Sequence, residues 1–183
     1  MLEELLARHC APALAGIKPA SLVAAQKKDI PRLHAEVEAL NGRLARTDIC
    51  VEILCECDRR ALLMVYRRKR LEAHLQSRRN RAFLQPFGYA RTGKMEEDIA
   101  FLKTRLTMEQ FPHEIGVFLG YPLYDIACFI RQQGKNCILC GEWKVYHRPE
   151  EAQKCFHRFK ACRRALVGRM ADGYTLEQIF CAA

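Results

Sequence analysis

The stretch from Asp48 to Tyr66 constrains the fold most, because its hydrophobic pattern has a period of two. The apolar side chains of Ile49, Val51, Ile53, Cys55 and Cys57 alternate with the polar residues Asp48, Glu52 and Glu56. Such alternation predicts a strand with one buried face. A polar turn and a second apolar run, residues 61–66, complete an antiparallel hairpin. We therefore expect Cys55 and Cys57 to point together into the core.

Seven other segments repeat their apolar residues at the spacing of a helix. They are residues 2–9, 31–44, 70–84, 95–107, 115–119, 123–131 and 149–172. Pro12 is expected to end the first helix, because a proline disfavours helical geometry in the residue before it. This break would leave Cys10 at a segment end, where its sulfur is accessible.

The two periods together predict an α+β fold. Residues 138–146 look extended, and we expect them to add a third strand to the hairpin. The prediction is a small antiparallel sheet, the hairpin plus one further strand, packed by several helices. A chain of 183 residues is most simply one domain, residues 1–183.

The sequence shows no sign of export or membrane insertion. No apolar run approaches the roughly 20 residues that span a bilayer, and the N-terminus lacks the basic start and apolar core of a signal peptide. These features predict a cytoplasmic protein with no membrane partner. In that compartment most of the ten cysteines are expected to be free thiols, with a minority bound to metal or reactive.

The net charge of +9 is concentrated between Arg59 and Arg81, where nine Lys and Arg face one acid. Such a block attracts polyanions or forms the solvated face of a helix. We favour the solvated face and expect residues 67–70 to lie on the surface. Nucleic acid is a possible partner but not the favoured one. Residues 114–130 have the spacing of a helix-turn-helix motif. The second helix, however, is apolar and carries the acidic Asp125, whereas a helix that recognises bases normally carries Arg, Asn or Gln.

A metal centre is the first candidate site. Cys137 and Cys140 have the two-residue gap that lets both sulfurs reach one ion. A tetrahedral transition metal needs two further ligands, and Cys10, His9 or His113 are the candidates. The same two thiols also suit a redox pair.

A thiol nucleophile is the second candidate, with Cys10 attacking and His113 as its base. Trp143 and Tyr146, beside Lys144, are candidates to stack a base or another flat ligand. The predicted function is binding of a transition metal or redox ligand through a Cys/His cluster. The alternatives are a thiol-dependent enzyme and a basic nucleic-acid-binding module.

Three motifs in this order resemble one family of proteins. They are HCAPALAGIKPASL at residues 9–22, FPHEIGVFLGYPLYDI at residues 111–126 and CGEWKVY at residues 140–146. The chain resembles the uncharacterised bacterial family called domain of unknown function 3793 (DUF3793) along nearly its whole length. The resemblance implies a single cytoplasmic domain, and it implies no activity, cofactor or catalytic residue.

Overall fold

The computed structural model describes residues 1–181 and confirms the α+β fold. The strands are β1 Ala20–Gln26, β2 Ile49–Glu56, β3 Arg60–Arg67, β4 Leu139–Cys140 and β5 Lys144–Val145. The helices are α1 Leu2–Leu14, α2 Leu33–Arg43, α3 Arg68–Leu75, α4 Arg78–Leu84, α5 Met95–Leu106, α6 Ile115–Phe118, α7 Leu123–Arg131, α8 Pro149–Ala171 and α9 Leu176–Phe180. Within the described part of the chain, no helix is both long and apolar enough to cross a bilayer.

The chain forms two compact units. Unit 1 comprises Met1–Leu71 and the described residues from Ala161 onward, and unit 2 comprises Glu72–Lys160. The single-domain assignment of residues 1–183 stays a prediction.

Unit 1 contains an antiparallel sheet with the strand order β1-β3-β2. The predicted hairpin is confirmed as β2 and β3, in which Val51 lies opposite Val65. The third strand is β1, which pairs with β3, and its residues were not predicted to be extended. The assignment of residues 138–146 to this sheet is wrong. They form β4 and β5, a separate two-stranded ladder within unit 2.

One face of the sheet carries the core of unit 1. Val51, Leu63 and Val65 are buried there with side chains of α1 and α2, including Leu6 and Leu40. Because successive residues of a strand point to opposite faces, Cys50 and Glu52 belong to the other face. That second face carries more polar side chains, and it also buries Met64 and Tyr66 of β3.

Helix α1 does not end at the predicted proline. It continues through Pro12 to Leu14. The prediction of an accessible break beside Cys10 is therefore wrong. The Pro12 carbonyl accepts the N–H groups of Ile17 and Lys18, at 2.7 and 3.1 Å. These bonds and the burial of α1 offset the backbone bond that a proline removes.

The prediction that Cys55 and Cys57 point together into the core is also wrong. The pairing of β2 with β3 shifts between Ile53 and Cys55. Such a bulge exchanges the faces that residues occupy beyond it. Leu54 is therefore buried, whereas Cys55 is half-buried and Cys57 is exposed in the turn.

Two short helices, α3 and α4, are found where one helix over residues 70–84 was predicted. Ser77 interrupts the helix, and its hydroxyl accepts the N–H of Asn80 at 3.4 Å to cap α4. A buried ion pair then joins α4 to α5. Arg81 donates from Nη1 to Oδ1 of Asp98 at 2.8 Å, and a second bond joins Nη2 to Oδ2.

Candidate functional site

An open groove of about 510 Å³ lies in unit 1 along β2, one of the two outer strands of the sheet. This volume lies within the range of small-molecule sites, about 300–1,000 Å³. Its polar and reactive lining groups are Asn41, Thr47, Cys50, Glu52, Tyr66 and Arg68. The groove therefore combines a thiol, a carboxylate, a phenol and a guanidinium.

The side chain of Asn41 closes part of the exposed edge of β2. Its amide nitrogen donates to the Val51 carbonyl at 2.8 Å, and its oxygen accepts the Val51 N–H at 2.9 Å. The asparagine therefore replaces the neighbouring strand that an edge residue lacks. This contact fixes one wall of the groove against α2.

A hydrogen-bonded phenol and carboxylate form the floor of the groove. The hydroxyl of Tyr66 donates to Oε2 of Glu52 at 3.1 Å. Burial of Tyr66, followed by the negative charge of Glu52, raises the pKa of the phenol. Tyr66 therefore remains a neutral hydrogen-bond donor at physiological pH.

A thiol and a guanidinium lie beside this pair. Cys50 is the β2 residue directly opposite Tyr66, and its side chain is half-buried. Arg68 follows β3 at the start of α3, where its N–H donates to the Asp48 carbonyl at 2.7 Å. Nη2 of Arg68 lies 4.0 Å from Sγ of Cys50, so a positive charge adjoins the sulfur.

The predicted nucleophile Cys10 lies in the core of unit 1. It is 0% exposed, and burial raises its pKa from an ordinary 9.0 to about 12, against the opposing charges of Lys18 and Arg163. At neutral pH this sulfur is therefore a protonated thiol packed among apolar side chains. Its predicted base, His113, lies exposed in unit 2 between the rings of Phe111 and Phe129, with centroids 5.8 and 4.9 Å away.

The predicted metal ligands are divided between the units. His9 and Cys10 belong to unit 1, whereas His113, Cys137 and Cys140 belong to unit 2. Cys137 is half-buried and Cys140 is exposed on the β4–β5 ladder. Across residues 1–181, no group of three His, Cys, Asp or Glu side chains has the proximity needed to hold a metal ion.

The structure brings the predicted stacking residues Trp143 and Tyr146 together around Asp125. The buried carboxylate accepts from Trp143 Nε1 and from the Tyr146 N–H, both at 2.8 Å. The rings of Tyr121 and Phe156 lie against Trp143, with centroids 5.2 and 4.6 Å away. These contacts stabilise the β4–β5 ladder, and a stacked ligand at this position stays a prediction.

The groove residues were not among the predicted site residues. The alternation of β2 does place Cys50 and Glu52 on its polar face, which was the available signal. Arg68 was instead assigned to a solvated surface with its neighbours. For Arg67 that assignment is wrong, since it is half-buried and donates to Asp48 at 2.6 Å and to the Leu14 carbonyl at 2.9 Å.

The family model described as Protein of unknown function (DUF3793) matches residues 6–180. Neither a curated protein nor a solved structure matches the chain significantly.

Proposed function

Since the chain belongs to DUF3793, a family of proteins of unknown function, we propose a function from the geometry of its own groove: the protein binds a small organic anion along β2. The observation that carries this proposal is a ligand-sized groove in which the guanidinium of Arg68 offers donors beside the thiol of Cys50.

Arg68 supplies the positive charge for the ligand. A guanidinium has five N–H donors in one plane, so it can hold protein contacts and still donate to a carboxylate or phosphate. Arg68 is exposed at the mouth of the groove, and its backbone bond to Asp48 fixes where the side chain begins. Charge-assisted bonds of this kind are stronger than those between neutral groups.

Glu52 restricts where the anion lies. Its carboxylate would repel a second anion, so the ligand's charged group must lie on the Arg68 side of the groove. The exposed side chain of Ala45 also lines the groove and can contact the remainder of an organic molecule. The arrangement favours an anion that has both a charged end and a carbon skeleton over a bare inorganic ion.

Anion binding is tested by thermal unfolding and by titration with a panel of dicarboxylates, nucleoside monophosphates and inorganic phosphate. We expect a saturable stabilisation by an organic anion. Arg68→Gln should weaken its binding about tenfold, the effect of one charge-assisted contact. Ala45→Phe should block the groove sterically, and Arg32→Gln is the matched control because Arg32 is exposed on unit 1 outside the groove. Equal affinity in all three variants would contradict the proposal.

A metal or redox ligand at Cys137 and Cys140 stays a second proposal. The observation in its favour is that Cys140 is exposed on the β4–β5 ladder and Cys137 is half-buried just before β4, three residues away. Metal analysis of protein purified without oxygen tests it. Cys140→Ser should abolish any stoichiometric transition metal, whereas Cys57→Ser should not.

A further inference from the structure

The thiol of Cys50 can meet a reactant in the groove, unlike the thiol of a core cysteine such as Cys10. It points away from the apolar face of the sheet, is half-buried, and lines the groove directly opposite Tyr66. The nearby guanidinium of Arg68, 4.0 Å from the sulfur, positions an anionic reactant next to the thiol.

We propose that Cys50 undergoes thiol–disulfide exchange with anionic low-molecular-weight disulfides, whose carboxylate Arg68 holds. This inference rests on the proposed anion-binding groove and adds a covalent step to it. The thiolate of Cys50 attacks one sulfur of the disulfide, and a new S–S bond forms as the original one breaks. The other half leaves as a thiolate and takes up the proton that Cys50 lost. One disulfide is consumed and one is formed, so no further oxidant is needed.

The composition of the groove favours exchange over other thiol reactions. Of the described residues that line it, none is a histidine, and the single carboxylate, Glu52, already accepts from Tyr66. Acyl transfer by a cysteine ordinarily relies on an adjacent base and on donors for an oxyanion. Exchange needs the thiolate, access and a leaving thiol, and a second thiol reverses it.

Charge should decide which disulfides react. Arg68 attracts a carboxylate-bearing disulfide, while Glu52 opposes it from the floor of the groove. We therefore expect Arg68→Gln and Glu52→Gln to shift the selectivity in opposite directions. The glutamine at position 52 retains an oxygen that can accept from Tyr66, so this variant removes charge with little change of shape.

The experiment compares oxidised glutathione, which is anionic, with cystamine, which is cationic. Reduced full-length protein is incubated with each, the reaction is stopped by alkylation, and the mixed disulfide at each cysteine is quantified by peptide mass spectrometry. The exposed Cys57 in the same molecule corrects for the intrinsic reactivity of the two reagents. After that correction, Cys50 should react about tenfold faster with oxidised glutathione than with cystamine, as one charge-assisted contact predicts.

The variants make the result specific to the groove. Arg68→Gln should remove the preference, Glu52→Gln should increase it, and Arg32→Gln should leave it unchanged. Circular dichroism confirms that each variant is folded. Equal corrected rates for the two reagents, or a preference that survives Arg68→Gln, would overturn the inference.

The Cys50→Ser variant separates this inference from the proposed function. It should still bind an organic anion reversibly, with the same dependence on Arg68. If it does, and wild-type Cys50 forms no mixed disulfide, the exchange chemistry is refuted and anion binding stands. If no anion binds either protein in the groove, both proposals fail.

Discussion

Breaking the buried ion pair between Arg81 and Asp98 should strongly destabilise unit 2. The two side chains are only 7% and 2% exposed. Arg81 also donates to the Gly93 carbonyl at 3.1 Å and to the Ala90 carbonyl at 3.4 Å. One guanidinium therefore connects α4, the loop before α5, and α5 itself.

The expected cost follows from what each substitution leaves behind. Arg81→Met removes the cation and leaves the Asp98 carboxylate buried without its principal partner, a change that costs about 3–5 kcal/mol. Asp98→Leu leaves the Arg81 guanidinium buried without its carboxylate partner and should cost a similar amount. The double variant leaves neither charge. Because an apolar pair of similar volume often replaces a buried ion pair at little cost, it should be more stable than either single variant.

Urea denaturation measures these free energies directly. Trp143, the single tryptophan of the chain, lies within unit 2, so its fluorescence reports on that unit. Linear extrapolation gives each free energy of unfolding, and the four proteins form a double-mutant cycle. The exposed Arg79 on the same helix supplies the matched control Arg79→Met, which should change stability by at most about 0.5 kcal/mol. Single variants that each lose less than about 1 kcal/mol, or that add in the double variant, would refute the reasoning.

Three further changes test other parts of the chain. Arg67→Gln should lower the free energy of unfolding by about 1–3 kcal/mol, because it removes the hydrogen bonds of a half-buried guanidinium. The control Lys69→Gln changes an exposed residue and should cost at most about 0.5 kcal/mol in the same urea assay. Gly141→Ala should cost about 1–3 kcal/mol, since an added Cβ would overlap the Phe156 ring, and an unchanged midpoint would contradict that packing. Cys10 has a folded pKa of about 12 against an ordinary 9.0, so its contribution to stability is complete below pH 9 and is lost as the pH rises towards 12. Cys10→Ala should therefore make the loss of stability over that range shallower, and an unchanged slope would show that another group causes it.

The sequence was sufficient to predict the helices and strands whose apolar residues recur with a clear period. The alternation after Asp48 identified the β2–β3 hairpin, and helical spacing identified α2, α5, α7 and α8. Strand β1 lacked such a signal. Its residues are small or only partly alternating, and it is extended because it pairs with β3 along seven positions.

The candidate site required tertiary information that no local pattern contains. The sequence predicted the hairpin, but the opposition of Cys50 and Tyr66 depends on its register, and the bulge after Ile53 depends on how β2 meets β3. The wall formed by Asn41 requires α2 to lie against the strand edge. The residues of the predicted Cys/His cluster come from both units, because nearness to a segment break does not specify which unit a residue joins.

The position of the groove follows from the way the sheet ends at β2. An outer strand exposes backbone groups that pair with other strands unless something covers them. Asn41 satisfies both backbone groups of Val51 with one side chain, which is smaller than a strand and leaves space along the remainder of the edge. The polar face of the same strand presents Cys50 and Glu52 to that space, and the chain leaving β3 brings Arg68 to its mouth. The Asn41 side chain that covers part of the sheet edge thus also leaves a cavity with polar walls beside it. The groove and its chemical groups therefore have the same structural cause.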